Sequence, residues 1–126
     1  MDQATDRQRL GQLGEKLACR FLKRQGLRHV TSNYATRGGE IDLVMTEGQT
    51  LVFVEVKTRT SEEFAPGEAA VNYGKQRRLW TAARHLLQTH ALTNRPLRFD
   101  VVVVVPGESR KEPQIRHYRN AFVPRH

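Results

Sequence analysis

Gly39-Glu40-Ile41-Asp42-Leu43, followed after a short turn by Leu51-Val52-Phe53-Val54-Glu55-Val56-Lys57, is the stretch that decides how this chain folds. Apolar and β-branched residues run through both pieces with turn signals on either side, the pattern of strands. Glu47-Gly48-Gln49-Thr50 between them reads as a hairpin connection, with Gly48 supplying the unusual backbone angle. If Glu47 faces Thr50, the register carries Asp42 opposite Glu55 and Glu40 opposite Lys57. Side chains alternate with period two, so this register sets all four on one side of the sheet. Directly opposed residues have Cβ atoms about 4.5–5.5 Å apart, close enough for two carboxylates to hold one cation.

Glu55 and Lys57 share a face with Leu51 and Phe53, while Val52, Val54 and Val56 line the other. A strand apolar on both faces is covered on both sides, which places it inside a sheet. Like charges opposed on a sheet are destabilising, and burial raises that cost. Asp42 facing Glu55 therefore calls for compensation by a metal ion, a shared proton or Lys57. Hard divalent cations take oxygen ligands, and Mg²⁺ keeps several waters while using one or two carboxylates and phosphate oxygens. Such an ion polarises a phosphoryl oxygen and acidifies bound water. Lys57 can orient the attacking water or stabilise developing charge. Asp42, Glu55 and Lys57 thus suit phosphodiester hydrolysis assisted by Mg²⁺ or Mn²⁺, with the two carboxylates as metal ligands.

At these residues the chain resembles the PD-(D/E)XK nuclease superfamily, whose core is an Asp followed on the next strand by (D/E)-X-K. The Pro before the first Asp of the namesake motif is replaced here by Ile41. The wider pattern is similar to the YraN-like family of small bacterial proteins. It comprises Gly11-x-x-Gly14-Glu15-x-x-Ala18, Gly39-Glu40-Ile41-Asp42-Leu43, Val52 to Arg59, Lys75-x-x-Arg78-Leu79 and Arg98-Phe99-Asp100-Val101-Val102. The resemblance implies an α/β, restriction-endonuclease-like fold, a central mixed β-sheet flanked by helices, with similarity to archaeal Holliday-junction resolvases. It also implies that Glu15, on the opening helix, joins Glu40 beside the metal-binding pair. Lys75 and Gln76 stand where superfamily members place a polar residue near the metal centre.

With 126 residues, the chain is read as a single domain, residues 1–126, large enough for a hydrophobic core. Lys and Arg number 21 against 13 Asp and Glu, a formal net charge of +8 that favours a polyanionic partner. An acidic centre within a basic protein suits metal capture surrounded by phosphate attraction. Nucleic acid is the expected partner, DNA ahead of RNA, and a homodimer would suit cleavage of two strands. The opening Met1 to Arg7 lacks the apolar core of a signal peptide, and Val101 to Val105 is too short to span a bilayer. No membrane association and a cytoplasmic location are expected. Cys19 is the single cysteine, so no internal disulfide forms, and the five histidines show no HExxH or paired zinc spacing.

Asp6 to Gln25 reads as a helix with Leu10, Leu13, Leu17 and Phe21 on its apolar face, Arg9, Lys16, Arg20 and Lys23 on the other, and Gly26 as its stop. Glu15 projects roughly 20° from Leu22 on a 3.6-residue wheel, at the margin of the apolar stripe. Leu27 to Tyr34 is a strand. Arg59 to Ala65 is a polar loop that can lie over the site and ends at Pro66-Gly67. A second helix over Lys75 to Thr89 buries Leu79, Ala83, Leu86 and Leu87, and its Lys75, Gln76, Arg77 and Arg78, with Arg59, form the expected nucleic-acid contact. Leu97 to Val105 is an interior strand in which Asp100 pairs with Arg98 or another base. Ile115 to Val123 is an edge strand or an extended tail. Two other functions fit the same residues: a nucleic-acid-binding module of nuclease-like fold without turnover, and a structural protein whose charged hairpin is a salt-bridge network.

Overall fold

Helix α1, Asp6–Arg24, begins at a capping box in which Thr5 Oγ1 accepts from the Gln8 N–H (3.1 Å) and Gln8 Oε1 from that of Thr5 (2.8 Å). It ends one residue earlier than expected, with Gln25 as cap and Gly26 at φ 98°, a left-handed conformation glycine adopts without strain. The computed structural model describes residues 5–60, 66–92, 94–107 and 112–124. Most of the expected loop Arg59 to Ala65 lies outside those residues.

The strands are β1 (Arg28–Thr36), β2 (Gly39–Glu47) and β3 (Thr50–Thr58), then, after helix α2 (Tyr73–Thr89), β4 (Leu97–Val105) and β5 (Gln114–Phe122). They form one sheet in sequence order. Strands β3 and β4 run parallel and every other neighbouring pair is antiparallel, so the sheet is mixed. A parallel pair needs a crossover, and α2 provides it. The C-terminal segment is thus an edge strand. Among the described residues no helix is long and apolar enough to cross a membrane.

Each face of the sheet has its own core. Leu43, Met45, Val52, Val54, Val102 and Val104 pack with Ala18 and Leu22 of α1. Val44, Leu51, Phe53, Phe99, Val101 and Val103 pack with Leu79, Ala82, Ala83, Leu86 and Leu87 of α2. This α/β arrangement is the restriction-endonuclease-like one expected. The apolar face assigned to α1 needs correction. Its buried residues are Gly14, Ala18 and Leu22, whereas Leu13 is 44% exposed. Small residues let the helix lie close on the sheet: a Cβ on Gly14 would fall on the side chain of Thr58 in β3.

Helix α2 approaches from the other side as closely. A Cβ on Gly39, at the start of β2, would collide with the backbone carbonyl of Arg78. Backbone cannot rotate away as a side chain can, so Gly39→Ala is expected to lower stability by roughly 1–3 kcal/mol, the usual cost of overpacking. Urea denaturation measures it; an unchanged midpoint would mean that α2 shifts without cost.

At the far edge Asp100 is fully buried and accepts from Arg98 Nε (2.9 Å), the Asn120 N–H (2.9 Å) and His117 Nε2 (2.7 Å). Asn120, at φ 50°, sits where the β4–β5 register slips between Phe99 and Val101. The carboxylate therefore closes a bulge whose N–H the ladder does not serve. Arg98 and Arg119 also hold Glu47, with contacts of 2.7 and 2.5 Å. The expected structural partnership of Asp100 with Arg98 is observed.

Candidate active site

The pairing of β2 with β3 runs from Glu47–Thr50 to Leu43–Val54, the register read from the hairpin. The two strands then part. Beyond Leu43, β2 stays with β1, pairing Ile41 with Tyr34 and Glu40 with Ala35, while β3 continues beside β4 to Thr58–Val104. Neither Asp42 and Glu55 nor Glu40 and Lys57 are therefore ladder partners, as the extrapolated register required. Alternation also breaks here: Ile41 packs on the α2 face, where strict alternation from Leu43 would send it to the α1 face. On the neighbouring strand Asn33 has φ 53° between Ser32 and Tyr34, whose partners Leu43 and Ile41 flank Asp42. Both strands turn over at this point, and the fork opens at Asp42.

Asp42 uses the fork. Its Oδ2 accepts the N–H of Val56 at 2.8 Å, a side-chain acceptor for a β3 donor beyond the ladder. A cavity of about 670 Å³ opens beside it, lined by Arg37, Gly39, Glu40, Asp42, Glu55, Lys75 and Arg78 among others. Glu55 is buried, its side chain 6% exposed, and Lys75 Nζ lies 2.5 Å from its Oε1. Burial, and then the charge of Glu55, push the Asp42 carboxyl up to about 7 against the pull of the Val56 N–H. Burial also raises Glu15, opposed by a bond from Asn33 and reinforced by the charges of Glu40 and Glu55. Charge effects thus link Asp42, Glu55, Glu40 and Glu15 across α1, β2 and β3, although Glu40 is exposed.

The lysines divide differently from expectation. Lys57 Nζ donates to the carbonyls of Glu68 (2.9 Å) and Ala70, in the segment leading into α2. Burial lowers its pKa, and so does the nearby charge of Arg59. The cation touching the acidic pair is Lys75, placed in the sequence among the nucleic-acid contacts. Asn72 caps α2 by accepting the Lys75 N–H at 2.8 Å, which fixes the turn that carries it. Gln76 Nε2 is occupied by the Val71 carbonyl (2.8 Å), Arg77 lies 5.8 Å from the Tyr73 ring centroid, and Arg78 lines the cavity. Arg59 is exposed, its backbone N–H bonded to Val104.

Several residues here were not singled out. Arg37, at the β1–β2 turn, lines the cavity; the basic residue beside Gly38-Gly39 was its signal. Asn33 bonds Glu15, and an asparagine amid strand residues is a cue to left-handed backbone. Glu68 is buried and bonded by the Tyr118 hydroxyl of β5, a link across 50 residues that no local pattern reveals.

Among the described residues no three Asp, Glu, His or Cys side chains form a ready metal cage. Asp42 and Glu55 are still the donor set that Mg²⁺ or Mn²⁺ uses when water and phosphate oxygens fill the remaining positions. A half-buried and a buried carboxylate, the first with its pKa pushed up by burial and then by the other's charge, fit a divalent cation on chemical grounds.

A family model described as uncharacterised protein family UPF0102 matches residues 14–104. The chain is 42% identical over 113 residues to a UPF0102 protein of Alkaliphilus metalliredigens, covering 90% of this chain and 96% of that one. It is 46% identical over 114 residues to one from Solibacter usitatus, covering 89% and 84%. A third, from Geobacter metallireducens, is 43% identical over 113 residues, covering 90% and 91%.

Proposed function

We propose, from the premise that this chain belongs to the UPF0102 family, that it is a metal-dependent nuclease hydrolysing phosphodiester bonds, with DNA the preferred substrate. One observation carries the reading: at the sheet's fork the half-buried Asp42 and the buried Glu55 lie close enough that burial, and then the charge of Glu55, raise Asp42 to about 7. A purely structural sheet gains nothing from that repulsion, whereas a metal site uses it.

Asp42 and Glu55 would hold Mg²⁺ or Mn²⁺, which supplies Lewis acidity toward a phosphoryl oxygen and acidifies water. Asp42 keeps its orientation through the Val56 N–H. Lys57, fixed by two carbonyls and lowered in pKa by burial, is suited to orient the attacking water and exchange its proton. Glu40 and Glu15 add negative potential, while Arg37, Lys75 and Arg78 line the approach for phosphates.

The test is cleavage of single-stranded, duplex, flap and four-way-junction substrates with Mg²⁺ or Mn²⁺. Lys57→Ala is expected to lower turnover about 10²–10³-fold with little change in nucleic-acid affinity. Lys57→Arg should rescue poorly, because a planar guanidinium does not reproduce a compact ammonium. A Lys57→Ala protein cleaving at the parental rate under saturating metal would remove Lys57 from the mechanism. The Lys75–Glu55 contact of 2.5 Å favours one second reading, a binding module whose acidic pair is already neutralised from within. No cleavage of any substrate in the panel would put that reading first.

A further inference from the structure

A second groove, of about 610 Å³, lies on the opposite face of the β1–β2 ribbon from the acidic cavity. Lys16, Arg20 and Lys23 of α1 line it, with Glu15 at one side and His29 and Asn33 of β1 as part of its floor. The three cations fall at i, i+4 and i+7, one exposed stripe. Among the described residues none of them is held in an ion pair with an acid. Like charges at this spacing destabilise a helix, and an anion laid along the stripe removes that repulsion. Glu15, in the wall of this groove, lies near enough to the first cavity for the charges of Glu40 and Glu55 to act on its carboxyl.

We propose that the α1–β1 groove is a second track for a phosphodiester backbone, continuous with the acidic cavity, and that it takes single-stranded nucleic acid. The inference rests on the nuclease reading for its partner. The choice of a single strand comes from the path. One groove is walled by α2 and the other by α1, so a backbone passing between them bends over the ribbon that separates the two faces. Duplex DNA, with a persistence length of about 150 bp, resists such a bend, while a single strand follows it. The amide and hydroxyl groups of Gln12, Ser32 and Asn33 add hydrogen-bonding partners for a backbone already held by charge.

The experiment measures anisotropy of labelled oligothymidylate and of a blunt duplex of equal length across a NaCl series, with EDTA present so that nothing turns over. The triple variant Lys16→Gln, Arg20→Gln, Lys23→Gln replaces exposed side chains, and circular dichroism checks that it stays folded. The parent's log–log salt slope on the single strand is expected to flatten by about 2 in the variant, three contacts at ~0.7 each, with affinity down roughly tenfold at low salt. The slope on the duplex should change less. An unchanged single-strand slope, or an equal loss on the duplex, overturns the proposal. A parent that binds through the groove but cleaves no substrate overturns the nuclease reading alone. One that cleaves while the variant binds as the parent does overturns the groove alone.

Discussion

Asp42→Asn is expected to make the protein more stable above pH 7 without metal and to abolish most of the stabilisation that Mn²⁺ gives the parent. The Asp42 carboxyl is raised from 3.8 to about 7, so the native state favours its neutral form. Its stabilising contribution is therefore complete below about pH 4 and is lost as pH rises through about 7. At about 1.36 kcal/mol per unit the change is on the order of 4 kcal/mol, borne by the ionised form. Asparagine keeps an oxygen for the Val56 N–H and never ionises, so the variant should lack this decline. Metal reverses the order. A ligand at a hundredfold excess over its Kd stabilises by about 2.7 kcal/mol, and the parent should gain that where the variant gains little. Cleavage should fall by about 10²–10³ or more in the variant. Melting curves at pH 5 and pH 8, in EDTA and in Mn²⁺, give the four values needed. A variant that melts below the parent at pH 8 in EDTA would mean that ionised Asp42 does not destabilise the fold, and one that responds equally to Mn²⁺ would mean that Asp42 is not a metal ligand.

The second large effect lies at the other edge of the sheet. Asp100→Ala is expected to cost about 3–5 kcal/mol, the penalty for breaking a buried charged network by removing one partner. It strips an acceptor from Arg98, His117 and the Asn120 N–H at once, in a place closed to water. Burial acts to raise the Asp100 pKa, but the bonds from His117, Arg98 and Asn120 outweigh it and leave the pKa lowered. The stability this carboxylate contributes is thus present above its unfolded pKa of about 3.9 and lost as pH falls further. Asp100→Asn should recover part of the loss, since it can still accept from Asn120. Urea midpoints at pH 7 and pH 3.5 test both statements. A loss below about 1 kcal/mol for Asp100→Ala at pH 7 would show that the bulge is held by packing alone.

Element positions were largely readable because they rest on local pattern. The hairpin register from Glu47–Thr50 held as far as Leu43–Val54, and β4 spans the expected Leu97–Val105. α2 begins two residues earlier than expected, at Tyr73, because Asn72 is its cap. β1 extends past Tyr34 to Thr36. The site was legible in its membership and not in its geometry. Period-two counting brings Asp42 and Glu55 together, but it assumes an unbroken ladder and cannot foresee the turnover at Asn33 and Asp42. Which lysine meets Glu55 depends on how α2 docks, and that docking depends on Gly39 meeting a helix carbonyl far along the chain. The same limit applies to α1, where Leu13 is exposed while Gly14, Ala18 and Leu22 are buried.

Glu15, Asp42, Glu55 and Lys75 come from four separate elements, joined only where both helices seat against the sheet. Before that seating the carboxylates lie open to water, which screens their charges from one another. The centre therefore contributes nothing to the early encounter of strands, which local pairing such as the β2–β3 hairpin can begin on its own. Its repulsion reaches full strength only with the burial that the two cores provide. The burial that gives the repulsion its strength thus comes from the same two cores that hold the carboxylates in place.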